Sequence, residues 1–407
     1  FLKTIADEKL IVFDFDKREW VWDVEYIQSL DITNNVVDMM VDRISQLPAE
    51  TRKILSLAAC LGSRFNLRIL SLVYGHSGSV VFDELWKAVL DGLIIPIEDD
   101  YKWIEHSPEE DHEAMFRFLH DRVQQAAYSL IPKEERSEIH LKIGRLLQNS
   151  LTEEEFDENL FEIANHFNQG KELISGAIER EKITRLNLKT ARKAKLSSAY
   201  LPALRYINIC KEYLPVDSWE KSYDLTLACF FEKGEIEYLN AQWDVAIATF
   251  DEALEKVVSQ LDRSRIFKFK VTLFRMKNDL KDSLDLSLHA LKELGYTLNP
   301  FPDDDEVIKE IEHFKPILAG SDSETLYNLP QLQDPLKLIA LEIMSELMPP
   351  AFFLGSRLVF IVGMKMAEIT MQYGNSSYSA VGYIFYSGFT LAIYQRDYDN
   401  AYNFGLL

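Results

Sequence analysis

From about residue 155 to its end, the sequence is helical throughout, with the 3.6-residue periodicity of amphipathic helices. Small and aromatic residues recur where paired helices must approach closely, in the manner of tetratricopeptide (TPR) repeats. The clearest match lies in 230–257 and consists of Tyr238, Trp243, Ala246, Phe250 and Ala253. Such a pair buries its apolar face only against its neighbours. We therefore predict a TPR-like α-solenoid over residues 151–407.

The repeats are degenerate, because the spacing between matches drifts from the 34-residue period. Further matches lie in 190–214, more weakly in 269–295, and in 384–407, where a repeat begins and is cut off. Two polar segments, 298–305 and 321–335, are interpreted as inter-helix loops. The alternative is that they mark a break between two solenoid blocks.

The N-terminal third has a mixed pattern. Residues 9–24 alternate apolar and polar side chains around Asp16-Lys17-Arg18, which predicts a β-hairpin within 1–32. Four helices are predicted between 35 and 92, punctuated by Pro48, Asn66, Gly75 and Gly92. Short strands follow at 93–99, 101–106 and 115–119, and a helix begins near His120. Helices, then a small β wing, then a helix predict a winged-helix domain over 33–150.

Composition fits a mainly α protein and limits its partners. The 407 residues include only 16 glycines and 13 prolines. The formal net charge of −21 repels phosphate backbones and anionic membranes. A DNA-binding winged helix is disfavoured because the helix that would face the groove, within 79–92, is itself net negative. The expected partners are proteins or small ligands, with no nucleic acid and no membrane.

Cysteine usage and apolar runs point to a cytoplasmic protein. Cys60, Cys210 and Cys229 are sparse and widely spaced, which predicts buried thiols rather than disulfides or metal ligands. The longest apolar stretch, 347–367, is interrupted by two prolines and two basic residues, so we interpret it as core helices.

Known catalytic motifs are absent. No phosphate-binding G-x-x-x-x-G-K-[ST] motif occurs. A kinase catalytic loop needs His-Arg-Asp, whereas His120, Asp121 and Arg122 stand in another order. The acidic loop that contains His106 and His112 is interpreted as solvated, and no metal site is predicted. His140 and His166 are interpreted as lone core or boundary histidines. No enzymatic activity is expected of this chain.

The stretch 114–132 holds the candidate functional residues. After His120, one helical face carries Val123, Ala126, Ala127 and Leu130. The negative charge of Asp121 at the helix N-terminus should stabilise the helix by about 0.3–1 kcal/mol, because it complements the helix dipole. His120 is expected at or just before the helix cap, where its imidazole can face a docked partner.

The sequence "FRFLHDRVQQAAYSLI" (116–131) resembles the Met-His-Asp motif in the winged-helix domain of STAND-type signalling ATPases, with Leu119 in place of the Met. The resemblance implies that His120 contacts the β-phosphate of ADP held by an upstream nucleotide-binding domain and helps to lock a closed state. It also implies that Asp121 holds the start of the helix.

Segments 42–70, 120–136, 291–300 and 372–388 resemble the predicted ATPase module of large bacterial sensor kinases. In these proteins a TPR-like solenoid follows the ATPase, and sensor and histidine-kinase domains often come later. The resemblance implies that residues 1–32 end an ATPase module, that the solenoid continues beyond 407, and that ADP or ATP with Mg²⁺ binds the parent protein but not this chain.

The leading hypothesis is a non-catalytic regulatory segment. Its winged helix would act as a nucleotide-state lid, and its solenoid would bind a protein partner or a neighbouring signalling domain. The alternative is a small-molecule (inducer) sensor, which an apolar, aromatic-lined pocket within 190–400 would favour.

Overall fold

The computed structural model describes residues 11–22, 32–97, 101, 114–318 and 323–405. As predicted, the fold is mainly α, with a short N-terminal hairpin and a small antiparallel sheet. Contacts separate the chain into two compact units, 1–186 and 187–407.

The predicted hairpin is present. Strands β1 (Ile11–Asp14) and β2 (Glu19–Trp22) pair antiparallel, with Ile11 opposite Trp22. Arg18 closes the turn with a φ of 56°. The carboxylate of Asp14 accepts the backbone N–H of Asp16 at 2.9 Å, which fixes the start of the turn.

Four helices follow, with ends close to those predicted: α1 (Ile32–Ser45), α2 (Ala49–Leu61), α3 (Leu67–Tyr74) and α4 (Gly78–Leu90). Pro48 precedes α2. The amide oxygen of Asn66 caps α3 by accepting the N–H of Arg68 at 2.8 Å. Gly75 ends α3 in the left-handed conformation, with a φ of 82°.

The small sheet contains a strand that we did not predict. Its antiparallel strands are β3 (Arg64–Asn66), β4 (Ile94–Pro96) and β5 (Met115–Phe118), in the order β3-β5-β4. The strand predicted at 101–106 lies outside the described residues, apart from Tyr101. The order of the elements is helix, strand, two helices and two strands, with the last strand in the centre of the sheet. The assignment of 33–150 to a winged-helix domain stays a prediction.

The first unit continues with α5 (Asp121–Ser129), α6 (Lys133–Ser150), α7 (Glu153–Glu158) and α8 (Leu160–Gln169). Helices α6 and α8 approach closely because Gly144 faces the ring of Phe167. A Cβ added at this glycine would lie 3.2 Å from Phe167 Cδ2.

Helix α9 (Ala177–Leu196) leads into the second unit, whose described residues are mainly helical, with an isolated β-bridge between Gln331 and Asn375. Its further helices are α10 (Tyr200–Tyr213), α11 (Ser218–Lys221), α12 (Tyr223–Leu239), α13 (Trp243–Leu254), α14 (Gln260–Met276), α15 (Leu280–Glu293), α16 (Asp304–Leu318), α17 (Ser323–Tyr327), α18 (Pro335–Phe353), α19 (Leu358–Tyr373), α20 (Ser379–Phe385) and α21 (Tyr398–Gly405), with a π-helical segment Tyr386–Gln395 before α21.

A repeated turn identifies the solenoid pairs α9/α10, α12/α13 and α14/α15. Ser198, Ala241 and Asn278 have φ values of 58°, 58° and 64°. After each of them, a backbone N–H donates at 2.9 Å to the carbonyl five residues earlier. The three turns lie 43 and 37 residues apart. The repeat is therefore conformationally regular although its spacing drifts, as the degenerate sequence pattern predicted.

The apolar run 347–367 forms parts of two core helices, α18 and α19, joined at Gly355 (φ 69°). Helix α18 continues through Pro349 and Pro350, so the prolines do not interrupt it. The predicted loop at 321–335 contains the short helix α17. Within the described residues, no helix has both the length and the apolar character to cross a bilayer.

Candidate functional site

The joint between β5 and α5 places His120 just beyond the end of β5 in the three-stranded sheet. Strand β5 is the central strand, and the N–H of Leu119 donates to the carbonyl of Leu93 at 3.0 Å. Leu119 itself is 51% exposed, and His120 is exposed beside it. The joint is thus fixed by backbone pairing while its side chains face solvent.

His120 is the N-cap residue of α5, with extended backbone (φ −150°, ψ 149°). Its Nδ1 accepts the backbone N–H of Arg122 at 3.1 Å. Because an accepting Nδ1 carries no proton, the neutral ring carries its hydrogen on Nε2. The exposed imidazole therefore has a donor that its own helix does not use.

Asp121 is the first residue of α5 and is exposed, in the position where a negative charge complements the helix dipole. Arg122 is also exposed, and its Nη1 donates to the amide oxygen of Gln125 at 3.0 Å. The structure thus places His120 and Asp121 side by side at the helix start.

Burial on one face holds α5 in position. Val123, Ala126 and Ala127 are buried as predicted, whereas Leu130 is half-buried. The amide of Gln124 donates to the carbonyl of Ala59 at 3.2 Å and ties α5 to α2.

A buried histidine pair was missed by the sequence analysis. His140 and His166 are 2% and 3% exposed, and their Nδ1 atoms lie 2.8 Å apart. His140 Nε2 lies 3.0 Å from the hydroxyl of Tyr128, and His166 Nε2 lies 3.9 Å from a carboxylate oxygen of Glu162. The interpretation as lone histidines was wrong, because α6 and α8 bring the two rings together.

Burial controls the chemistry around this pair. It lowers the pKa of His140 to about 4, with further lowering from His166 and Arg136. Burial also raises the pKa of Cys60 to about 12, so this thiol stays protonated near neutral pH. Cys210 and Cys229 are buried free thiols, as predicted, whereas the free thiol of Cys60 is half-buried.

Among the described residues, Glu310, His313 and Glu368 form a group with metal-ligand spacing. The ammonium of Lys365 lies 2.5 Å from a carboxylate oxygen of Glu310 and 3.2 Å from one of Glu368. A cation thus already neutralises this group. The acidic loop with His106 and His112 lies outside the described residues.

The second unit contains a cavity of about 500 Å³, here called the solenoid pocket. Its apolar wall is formed by Leu227, Ala228, Phe231, Phe269 and Ile339. Two ion pairs border it, Arg265 with Asp262 at 3.3 Å and Lys268 with Glu342 at 3.5 Å. The pocket therefore combines an aromatic wall with a rim of both charges, which suits an organic ligand with a polar group.

No protein-family model matches the chain. It is similar to hybrid signal transduction histidine kinase G of Dictyostelium discoideum, with 24% identity over an alignment of 469 residues. That alignment covers the whole chain but 14% of the relative. The crystal structure of a STAND (Signal Transduction ATPase with Numerous Domains) protein with a tetratricopeptide repeat sensor from Pyrococcus horikoshii matches with a TM-score of 0.35 and 15% identity. The match covers 89% of this chain and 51% of that one.

Proposed function

We propose that this chain is a non-catalytic regulatory and protein-interaction segment of a larger signalling protein. The winged helix acts as a nucleotide-state lid on an upstream nucleotide-binding domain, and the solenoid binds a protein partner or a neighbouring signalling domain. The similarity to a hybrid histidine kinase along the whole chain supports a signalling role.

The exposed His120 carries the lid proposal. Its Nδ1 is engaged by α5, so the Nε2 hydrogen can be donated to a phosphate oxygen of a nucleotide. The nucleotide-binding domain would supply the other contacts to ADP, or to ATP and Mg²⁺. ADP that binds the closed state more tightly shifts the lid toward that state.

Two variants separate capping from nucleotide sensing. His120→Ala should destabilise the start of α5 by about 0.5–1 kcal/mol, because the cap is lost, whereas Asn is a good N-cap and His120→Asn should remain within a few tenths of that stability. In the chain joined to its nucleotide-binding domain, both variants should release ADP faster. The measurements are hydrogen exchange over 121–129 and the ADP dissociation rate. If His120→Asn retains ADP like the wild type, His120 has only a capping role.

A second candidate function is small-molecule sensing, and the solenoid pocket favours it. An apolar, aromatic-lined pocket within 190–400 was the feature expected of such a sensor. Phe231 and Phe269 form part of the apolar wall of the solenoid pocket. The rim ion pairs can reorganise around a charged or zwitterionic ligand.

Thermal-shift screening tests this candidate. A ligand present at 100 times its Kd should stabilise the second unit by about 2.7 kcal/mol. Ala228→Trp should abolish the shift, because the indole would occupy the pocket. Ala49→Trp, at an exposed position of α2, is the matched control and should retain it. Hits that stabilise Ala228→Trp as much as the control do not bind in this pocket.

A further inference from the structure

The first unit contains a second cavity, of about 520 Å³, between α2, α3 and the joint of α5 with α6. This size is within the range of cavities that hold drug-sized ligands. Its floor is aliphatic and is formed by Leu57, Val73, Ile131, Ile139 and Ile143. We refer to it as the basic cavity, because of the charges around it.

Three cations and one carboxylate line this cavity: Arg52, Lys53, Lys142 and Glu135. This excess of positive charge stands out in a chain whose net charge is −21. It cannot be ascribed to a general surplus of surface lysine and arginine.

Among the described residues, the three cations have no ion-pair partner of the kind that neutralises many others. Within the described residues, no carboxylate lies within 4.0 Å of Arg52, Lys53 or Lys142, whereas Arg145 and Lys365 have such carboxylates. Arg52 Nη1 donates to the carbonyl of Ser45 at 2.7 Å, and Lys53 Nζ lies 5.4 Å from the centre of the Tyr74 ring. These contacts orient the two side chains without placing a described carboxylate within ion-pair distance of either positive charge.

We propose that the basic cavity binds a small amphiphilic anion. A carboxylate, sulfonate or phosphate head contacts Arg52, Lys53 and Lys142, and an apolar body lies on the aliphatic floor. An inorganic anion would leave the floor uncovered, and a neutral hydrocarbon would leave the cations unpaired, so neither matches both features.

Octanoate is the probe, and isothermal titration calorimetry on the whole chain is the measurement. The cavity variant Arg52→Gln/Lys53→Gln/Lys142→Gln should weaken octanoate binding at least about tenfold, the effect of losing one charge-assisted hydrogen bond. A matched variant, Arg64→Gln/Arg117→Gln/Lys133→Gln, removes the same charge from residues that do not line the cavity and should change binding less than about twofold. Ile139→Trp, which fills the cavity but keeps its charges, should abolish binding.

Two further ligands test whether the cavity needs both the anionic head and the apolar body. 1-Octanol should bind at least about tenfold more weakly than octanoate, and inorganic phosphate should not displace octanoate at equal concentration. The proposal is overturned if octanoate shows no saturable binding, if both triple variants lose it equally, or if phosphate displaces it as well as octanoate itself does.

Discussion

Replacing Gly363 with alanine should destabilise the second unit by about 3 kcal/mol, near the upper end for overpacking a core. Gly363 lies in α19 against the junction of α20 with the π-helical segment. An added Cβ would lie 2.5 Å from the backbone N of Tyr386 and 2.7 Å from the carbonyl carbon of Phe385. Backbone atoms cannot rotate away as a side chain can, so the helices must separate. This cost exceeds the gain of about 1 kcal/mol from replacing a helical glycine.

Gly388→Ala is the matched control. Gly388 lies in the π-helical segment, and a Cβ added there would meet no atom within 4 Å. The Gly388→Ala variant should change the free energy of unfolding of the second unit by less than about 1 kcal/mol. Because two units need not unfold together, hydrogen exchange over 358–395 is a better measurement than one global transition. Equal protection in the two variants would show that α19 and the segment are not in close contact.

The features predicted correctly from the sequence are those that local chemistry determines. Pro48 before α2, Asn66 as a cap and Gly75 as a stop each act within one helical turn, so their neighbours suffice to interpret them. The same holds for His120, whose expected place at the cap follows from the apolar face that begins at Val123. The functional role assigned to His120 stays a proposal.

The features that were missed depend on residues far apart in the chain. Strand β3 has three residues, too few for a visible alternation, and it exists because its backbone pairs with β5, with Phe65 opposite Phe116. The periodicity of α6 and of α8 places each histidine on a buried face, but it does not reveal that the two faces meet. One signal was available: a buried imidazole needs a partner, and two such histidines in neighbouring helices can serve each other.

The two cavities could not be predicted for a related reason. The basic cavity draws its cations from α2 and α6, and the solenoid pocket takes its aromatic wall from α12 and α14. Sequence periodicity assigns a side chain to a face of its own helix. The charges that meet in a cavity are determined by how the helices pack against one another, which the periodicity of each helix does not reveal.

The stability of the first unit should fall by about 2–3 kcal/mol as the pH is lowered from 7.5 to 4.5, because His140 is buried in its neutral form. Its folded pKa is about 4, below the ordinary value of 6.5. Between these values the unfolded chain binds a proton that the folded chain excludes. The contribution is therefore complete above about pH 6.5 and is lost as the pH falls toward 4. The Tyr128 hydroxyl and His166 Nδ1 could still accept from the two nitrogens of a protonated His140, so the cost of protonation comes from burying the charge and from its repulsion by Arg136.

Replacing His140 with leucine tests this assignment. The variant should be less stable at pH 7.5 by about 1–3 kcal/mol, since the Tyr128 hydroxyl and His166 Nδ1 lose a buried partner. Its stability should vary much less between pH 7.5 and 4.5 than that of the wild type, because the group that must stay neutral is gone.

His76→Gln, which removes an exposed histidine from the same unit, should keep the wild-type pH dependence. Urea unfolding across this pH range, with hydrogen exchange over 121–169, measures the effect. If the pH dependence of stability is undiminished in His140→Leu, it arises from groups other than His140.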